Sequence, residues 1–345
     1  MKTILSACFI VFVFSAPMSL FVTKYPDIID SEKRSLTQFP NIELLYNLKV
    51  KRFIEGFEQY YNDRVYFRPY LIDFSSYIYS FFGANIDMNK SFRGKNNWLF
   101  LGNDFDNCVS ALTGEWKMTE SQLLSKLYFF SQVKSIAESY GANFYILVGP
   151  NKSSVYPEYL PSIIFPSKQR ALSPLLFMLR EHNVNVFDPT DNLKQKKNEG
   201  LLYFRTDTHW NYLGTKIAFE AFLDEFHIGE FPDVKLIPSK EYIGDLISIG
   251  GYKNFPLELG DNFIPQLTEE KKVDHKTILV LGDSFSESLM FYLGAMFKKV
   301  YFKKYRDIAI SKSDLPQLTE YIKSLGKVDI VLWIQVERIF TYWNP

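Results

Sequence analysis

From about residue 91 onward, short unbroken apolar runs alternate with longer segments of helical periodicity, and few architectures accept that pattern. Asn143 to Val148, Val184 to Phe187, Thr277 to Leu281, Val300 to Phe302 and Val328 to Ile334 read as strands. Thr119 to Tyr140, Lys168 to His182, Leu213 to Phe226, Phe285 to Phe297 and Leu315 to Leu325 read as helices. A Thr119 to Gln122 capping box opens the first helix and Gly141 closes it. Strands without polar alternation are buried on both faces. Helices of this length between them imply an α/β fold, a central parallel sheet covered on both sides. Such sheets carry their sites at the carboxyl ends of the strands.

Composition removes several function classes. The chain has 39 Lys+Arg and 39 Asp+Glu in 345 residues, so no basic footprint for nucleic acid exists. Only two cysteines occur, Cys8 and Cys108, and they form no C-x-x-C pair. That excludes a disulfide framework and argues against structural zinc. No cofactor motif is present. The aromatic share is 17%, with 32 Phe and 22 Tyr, which suits a large core and also sugar-facing surfaces.

The N-terminus bears on compartment. Lys2 precedes an uncharged, largely apolar run from Thr3 to Thr23, and Lys24 ends it. About 20 apolar residues span a bilayer as a helix. Ser15-Ala16 resembles a cleavage site, but Pro17 opposes cleavage. The expectation is a membrane anchor over 1–25, a helical lead-in over 26–90 and a larger domain over 91–345. In the lead-in, Phe53, Phe57, Tyr60 and Tyr61 make one apolar helical face, and a second helix follows from Tyr70 to Phe82.

Two motifs carry chemistry. Ile278 to Leu281 runs into Gly282-Asp283-Ser284-Phe285, a strand ending in a glycine turn with a serine where a helix begins. That position exposes a hydroxyl beside unpaired N–H groups able to hold an oxyanion; the plainer alternative is a helix cap. A serine hydroxyl also needs a base. Among the four histidines, His182, His227 and His275 sit at helix ends or in a charged loop, whereas His209 lies in Arg205-Thr206-Asp207-Thr208-His209-Trp210-Asn211. Asp207 is placed to fix the imidazole tautomer while the other ring nitrogen faces Ser284. A metal-ligand pair or a plain turn is the alternative, but no further ligand lies nearby in sequence.

These residues resemble those of the AlgX/AlgJ family of alginate O-acetylation proteins, in which Asp-x-His precedes the serine motif. Phe92-Arg93-Gly94-Lys95-Asn96-Asn97-Trp98-Leu99-Phe100, Asn151-Lys152 with Tyr156-Pro157-Glu158, Phe57 to Arg64 with Phe67-Arg68, and Val336-Glu337-Arg338 resemble further family segments. The resemblance implies an SGNH-hydrolase-like three-layer sandwich. It implies an extracytoplasmic polysaccharide O-acetyltransferase with Ser284, His209 and Asp207 as its triad. It further implies an acetyl donor of the membrane-bound O-acyltransferase (MBOAT) type, a polysaccharide acceptor, and a single-pass protein of the inner membrane facing the periplasm.

No G-x-N oxyanion motif is evident, and Asn151 in Gly149-Pro150-Asn151 is the nearest candidate. Lys152 orients a substrate oxygen or is solvated. Tyr156 and Trp210 stack on sugars or pack in the core. Arg205 positions Asp207 or meets an anionic sugar. Arg338 pairs with Glu337 or reaches the site. An acetyl esterase using the same triad, and a non-catalytic scaffold of a polysaccharide-export complex, are the rival functions.

Overall fold

The computed structural model describes residues 28–29, 34–35, 37–46, 49–64, 74, 89–240, 242–252, 255–256, 260–268, 274–309 and 311–345. The expected anchor over 1–25 and most of the expected helix over 70–82 lie outside the described residues. No helix among the described residues is long and apolar enough to cross a membrane.

Two compact units divide the chain. The smaller takes Met1–Phe82 with Ile247–Phe255. Its helix Val50–Arg64 sets Phe53, Phe57 and Tyr60 around Phe39, with ring centroids 6.2, 6.0 and 5.2 Å away. Arg64 closes the arrangement by donating to the Thr37 carbonyl at 2.7 Å and lying over the Tyr60 ring.

The larger unit, Gly83–Leu246 with Pro256–Pro345, is built on five parallel strands. We label them β1 (Asn143–Gly149), β2 (Asn185–Phe187), β3 (Asp274–Gly282), β4 (Phe297–Lys304) and β5 (Ile330–Val336). Their spatial order is β4-β3-β5-β1-β2. The main helices are α1 (Glu120–Ser139), α2 (Ser173–Glu181), α3 (Tyr212–Phe226), α4 (Glu287–Met296) and α5 (Leu315–Ser324). Alternate residues of each strand enter opposite cores. Ile278, Val280, Leu332 and Ile334 join one, while Leu279, Leu281, Val331 and Trp333 join the other. The sheet is therefore covered on both faces, as unbroken apolar strands require. Ile334 pairs with Gly282 and Val336 with Gly149, so the carboxyl ends of β3, β5 and β1 form one aligned edge.

Two expected helices start late. The helix expected from Lys168 begins at Ser173, because Pro174 lacks an N–H and is tolerated only in a first turn. The helix expected from Phe285 opens as a 3₁₀ turn over Ser284–Ser286, and α4 proper starts at Glu287. Two antiparallel pairs, Ser91–Arg93 with Leu99–Leu101 and Val234–Pro238 with Phe263–Leu267, stand outside the main sheet.

Trp333 anchors one core. It is fully buried, stacks on Tyr305 at 4.9 Å, and meets Phe129 and Phe130 edge-on at 5.8 and 5.3 Å. Trp333→Ala is expected to lower unfolding free energy by about 4 kcal/mol, read from the urea midpoint at unchanged m.

Candidate active site

Ser284 follows the carboxyl end of β3, where Asp283 shapes the turn rather than facing substrate. One Asp283 carboxylate oxygen accepts the Phe285 N–H at 2.9 Å, and the other accepts the Val336 N–H at 2.8 Å, tying β3 to β5. Burial pushes the Asp283 carboxyl up, against the pull of those two N–H donors. The Ser284 hydroxyl is left exposed. The Ser284 N–H makes no hydrogen bond among the described residues.

His209 comes from the loop before α3. Its Nε2 lies 2.8 Å from Ser284 Oγ, and its Nδ1 lies 2.5 Å from Asp207 Oδ1. The His209 backbone N–H also donates to Asp207 Oδ1 at 3.0 Å. The three residues named from the sequence thus form one hydrogen-bonded chain ending in a solvent-facing hydroxyl. Burial opposes a charged imidazole, yet the Asp207 hydrogen bond and charge outweigh it and hold His209 above the usual histidine value. Burial likewise opposes ionised Asp207, but its bonds to His209 and to the Asp245 N–H bring it down to about 2. His182, His227 and His275 are exposed.

The loop is fixed from three sides. Trp210 Nε1 donates to the Phe285 carbonyl at 2.9 Å, fastening the histidine loop to the serine turn. Leu99 N–H donates to the Arg205 carbonyl at 2.9 Å. Lys152 supplies the third hold. Its ammonium donates to the carbonyls of Phe204, Arg205 and Asp207 at 3.1, 3.0 and 2.6 Å. It lies 5.6 and 5.4 Å from the centroids of the Trp98 and Phe100 rings. Burial drives its pKa far below the ordinary lysine range, opposed by Asp207, Asp245 and Asp261. Gly149 is required where Phe285 crosses it, because a Cβ there would lie 2.5 Å from Phe285 Cδ1.

Several expected substrate contacts are corrected by this arrangement. Lys152 spends all three N–H groups on backbone, so it neither faces solvent nor meets a substrate oxygen. Tyr156 is 2% exposed, its hydroxyl accepts the Leu202 N–H at 3.0 Å, and its ring packs on Trp98. Trp210 is equally buried. Neither offers a face to a sugar. Arg205 pairs with Asp261 at 3.5 Å. Glu337 takes Arg170 at 2.9 Å, while Arg338 lies 3.6 Å from Asp106 and over the Phe285 ring at 6.0 Å. Arg338, Asn151 and Thr208 line a small pocket beside His209. The Asn151 N–H donates to Glu337 Oε2 at 2.8 Å.

Two residues were not foreseen. Asp245 accepts the Thr208 N–H and hydroxyl, both at 3.1 Å, and its own N–H reaches Asp207 at 3.1 Å. Asp207, His209 and Asp245 therefore bring three potential metal-ligand atoms within 4.8 Å, contrary to the expectation that no third group joins the pair. Both His209 nitrogens are already engaged, by Asp207 and Ser284, so the cluster reads as a proton-holding network. Tyr242 lies at the rim with its ring 4.1 Å from Phe204, and burial and the nearby Asp207 charge push its hydroxyl up to about 12. Neither residue belongs to a motif.

Known proteins share part of this sequence and its fold. Residues 92–260 match the family described as the SGNH hydrolase-like domain of the acetyltransferase AlgX. Over those residues the chain resembles the AlgX/AlgJ family. A "probable alginate O-acetylase AlgJ" from Pseudomonas putida is 27% identical over 135 residues, covering 37% of this chain and 31% of the relative. The protein of that name from Pseudomonas aeruginosa is 25% identical over 187 residues, covering 50% of this chain and 43% of the relative. The chain thus spans less than half the length of these two relatives. Among solved structures, the O-acetyltransferase domain of Pseudomonas putida AlgJ shares the fold, with TM-score 0.53, 20% identity, and coverage of 74% of this chain and 93% of that one.

Lys152→Met leaves the Phe204 and Asp207 carbonyls without the lysine donor, the Arg205 carbonyl keeping the Leu99 N–H, and about 3 kcal/mol of stability is expected to be lost in urea unfolding. Lys152→Arg is expected not to restore it, because a planar guanidinium cannot point three donors at a tripod of carbonyls.

Proposed function

We propose that this chain is a polysaccharide O-acetyltransferase acting through an acetyl-serine intermediate. The observation that carries the reading is the chain from Asp207 through His209 to the exposed Ser284 hydroxyl. The AlgX/AlgJ likeness supports an acetyl group as what is transferred and a polysaccharide as the acceptor.

His209 Nε2 takes the Ser284 proton as Oγ attacks the acetyl carbonyl of the donor. The Ser284 N–H donates to the developing oxyanion, a contribution of a few kcal/mol per donor. The imidazolium returns its proton to the leaving group. An acetyl ester on Ser284 remains, and the acceptor hydroxyl then attacks it. His209 takes the hydroxyl proton and passes it to Ser284 Oγ as the intermediate collapses, so the acetyl group leaves on the sugar with Ser284 and neutral His209 restored. Asp207 holds the tautomer and stabilises the imidazolium throughout. Lys152 and Trp210 position the loop without touching substrate. The apolar segment over 3–23 anchors the chain, and the domain works outside the cytoplasm, receiving acetyl groups from a membrane-bound O-acyltransferase.

Ser284→Ala is expected to abolish turnover of a chromogenic acetyl ester and the added acetyl mass on the intact protein, with folding unchanged because the hydroxyl is exposed. Acetylated oligosaccharide as the product supports transfer. Free acetate alone, in the presence of every acceptor tried, makes the chain an esterase. Unchanged turnover by Ser284→Ala removes the mechanism altogether. A neutral His209 is needed as base, so activity is expected to fall as pH drops through its raised pKa, giving an acid limb above the ordinary histidine value. Asp207→Asn is expected to move that limb to lower pH and reduce kcat by about 10³–10⁴-fold.

A further inference from the structure

A cavity of about 550 Å³ opens beside the site, of a size usual for ligand pockets. It shares Cys108, Asn151 and Ser153 with the small pocket at Thr208 and Arg338, so the two adjoin. Its other residues include Asp188, just past the end of β2, and one face of α2. It reaches from Asn151 and Ser153, just after β1, to Asp188 and along the face of α2 that carries Ser173, Phe177 and Arg180. Strands lie ~4.8 Å apart, so three spacings from β3 to β2 give an edge of ~14 Å. That is a distance a short stretch of glycan can bridge.

Two properties of the lining narrow the ligand. The first is its charge balance. Arg170 lies between Asp188 and Glu337, bonded to both, and Lys194 lies 3.9 Å from Asp191. Lys168, Arg180 and Glu181 complete the charged lining, giving four cations and four carboxylates. The neighbouring Arg338 faces Asp106, and Arg205 faces Asp261. A site for a polyanion focuses one sign of charge along its length, and this edge does not. The second property is an aromatic platform. Phe177 on α2 lines the cavity and is 67% exposed, unlike Tyr156 and Trp210. An exposed aromatic face is suited to the apolar face of a sugar ring.

We propose that this cavity is the acceptor subsite and that it takes an uncharged glycan chain, not a polyuronate, with Phe177 as the stacking face. This deepens, and rests on, the O-acetyltransferase reading.

The test uses the full chain, a chromogenic acetyl ester as donor, and three hexasaccharides: β-1,4-glucan, β-1,4-N-acetylglucosamine and β-1,4-mannuronate. At least one neutral hexamer is expected to be acetylated with kcat/KM about tenfold or more above the mannuronate. Phe177→Ala is expected to raise the acceptor KM about tenfold while ester hydrolysis stays unchanged, and Phe177→Trp to retain wild-type KM. A preference for the mannuronate, or an acceptor KM indifferent to Phe177→Ala, overturns the assignment. Loss of the chemistry itself is a separate failure: absence of ester turnover would remove the transferase reading. Calorimetric titration of the same hexamers needs no turnover and still decides the subsite. Saturable binding of a neutral hexamer that weakens in Phe177→Ala supports it. Tighter binding of the mannuronate, or no neutral binding, refutes it.

Discussion

Burying an ammonium group is expensive unless each of its hydrogens finds an acceptor, and the fold solves that problem at Lys152 with the carbonyls of Phe204, Arg205 and Asp207. The solution also determines the path of the loop. Three carbonyls from four consecutive residues cannot converge on one nitrogen unless the backbone curls around it. That curl turns Asp207 and His209 towards the β3 edge. Trp210 then needs only one hydrogen bond, to Phe285, to bring the imidazole within reach of Ser284. The serine turn is held independently, by Asp283 bridging to β5.

The strands were legible in sequence because a sheet buried on both faces writes itself as unbroken apolar runs. The Asp207, His209 and Ser284 set was legible because two of its members sit in one short loop and the third follows a strand into a glycine turn. What escaped depends on distance along the chain. Asp245 meets Thr208 only after an excursion through the Val234–Pro238 strand, and no local spacing signals that. Lys152 and Trp210 were left open between two readings for the same reason. A lysine and a tryptophan near a site invite a substrate role, but burial gives each an internal partner instead. Pro174 was a local signal, and it places the start of α2 correctly once its missing N–H is taken into account.

Asp207 and Asp245 form a close pair of carboxylates with opposite fates. Burial acts on both against ionisation. Asp207 gains the imidazole and falls; Asp245 has the Thr208 N–H and hydroxyl, also feels the Asp207 charge, and rises. The asymmetry follows from where the single imidazole stands. It leaves the negative charge next to His209, where an imidazolium needs it.

The aligned carboxyl edge has an engineering consequence. The Ser284 hydroxyl belongs to the turn after β3, whereas Phe177, Arg180 and Glu181 belong to α2, which leads into β2, three strands away. Neither Arg180 nor Glu181 bonds to the Ser284–His209–Asp207 chain among the described residues. Under the proposed acceptor subsite, recognition and reactivity are mounted on separate pieces of one scaffold. A library confined to the outward face of that single helix would retune which polymer is grasped while leaving the nucleophile's alignment undisturbed.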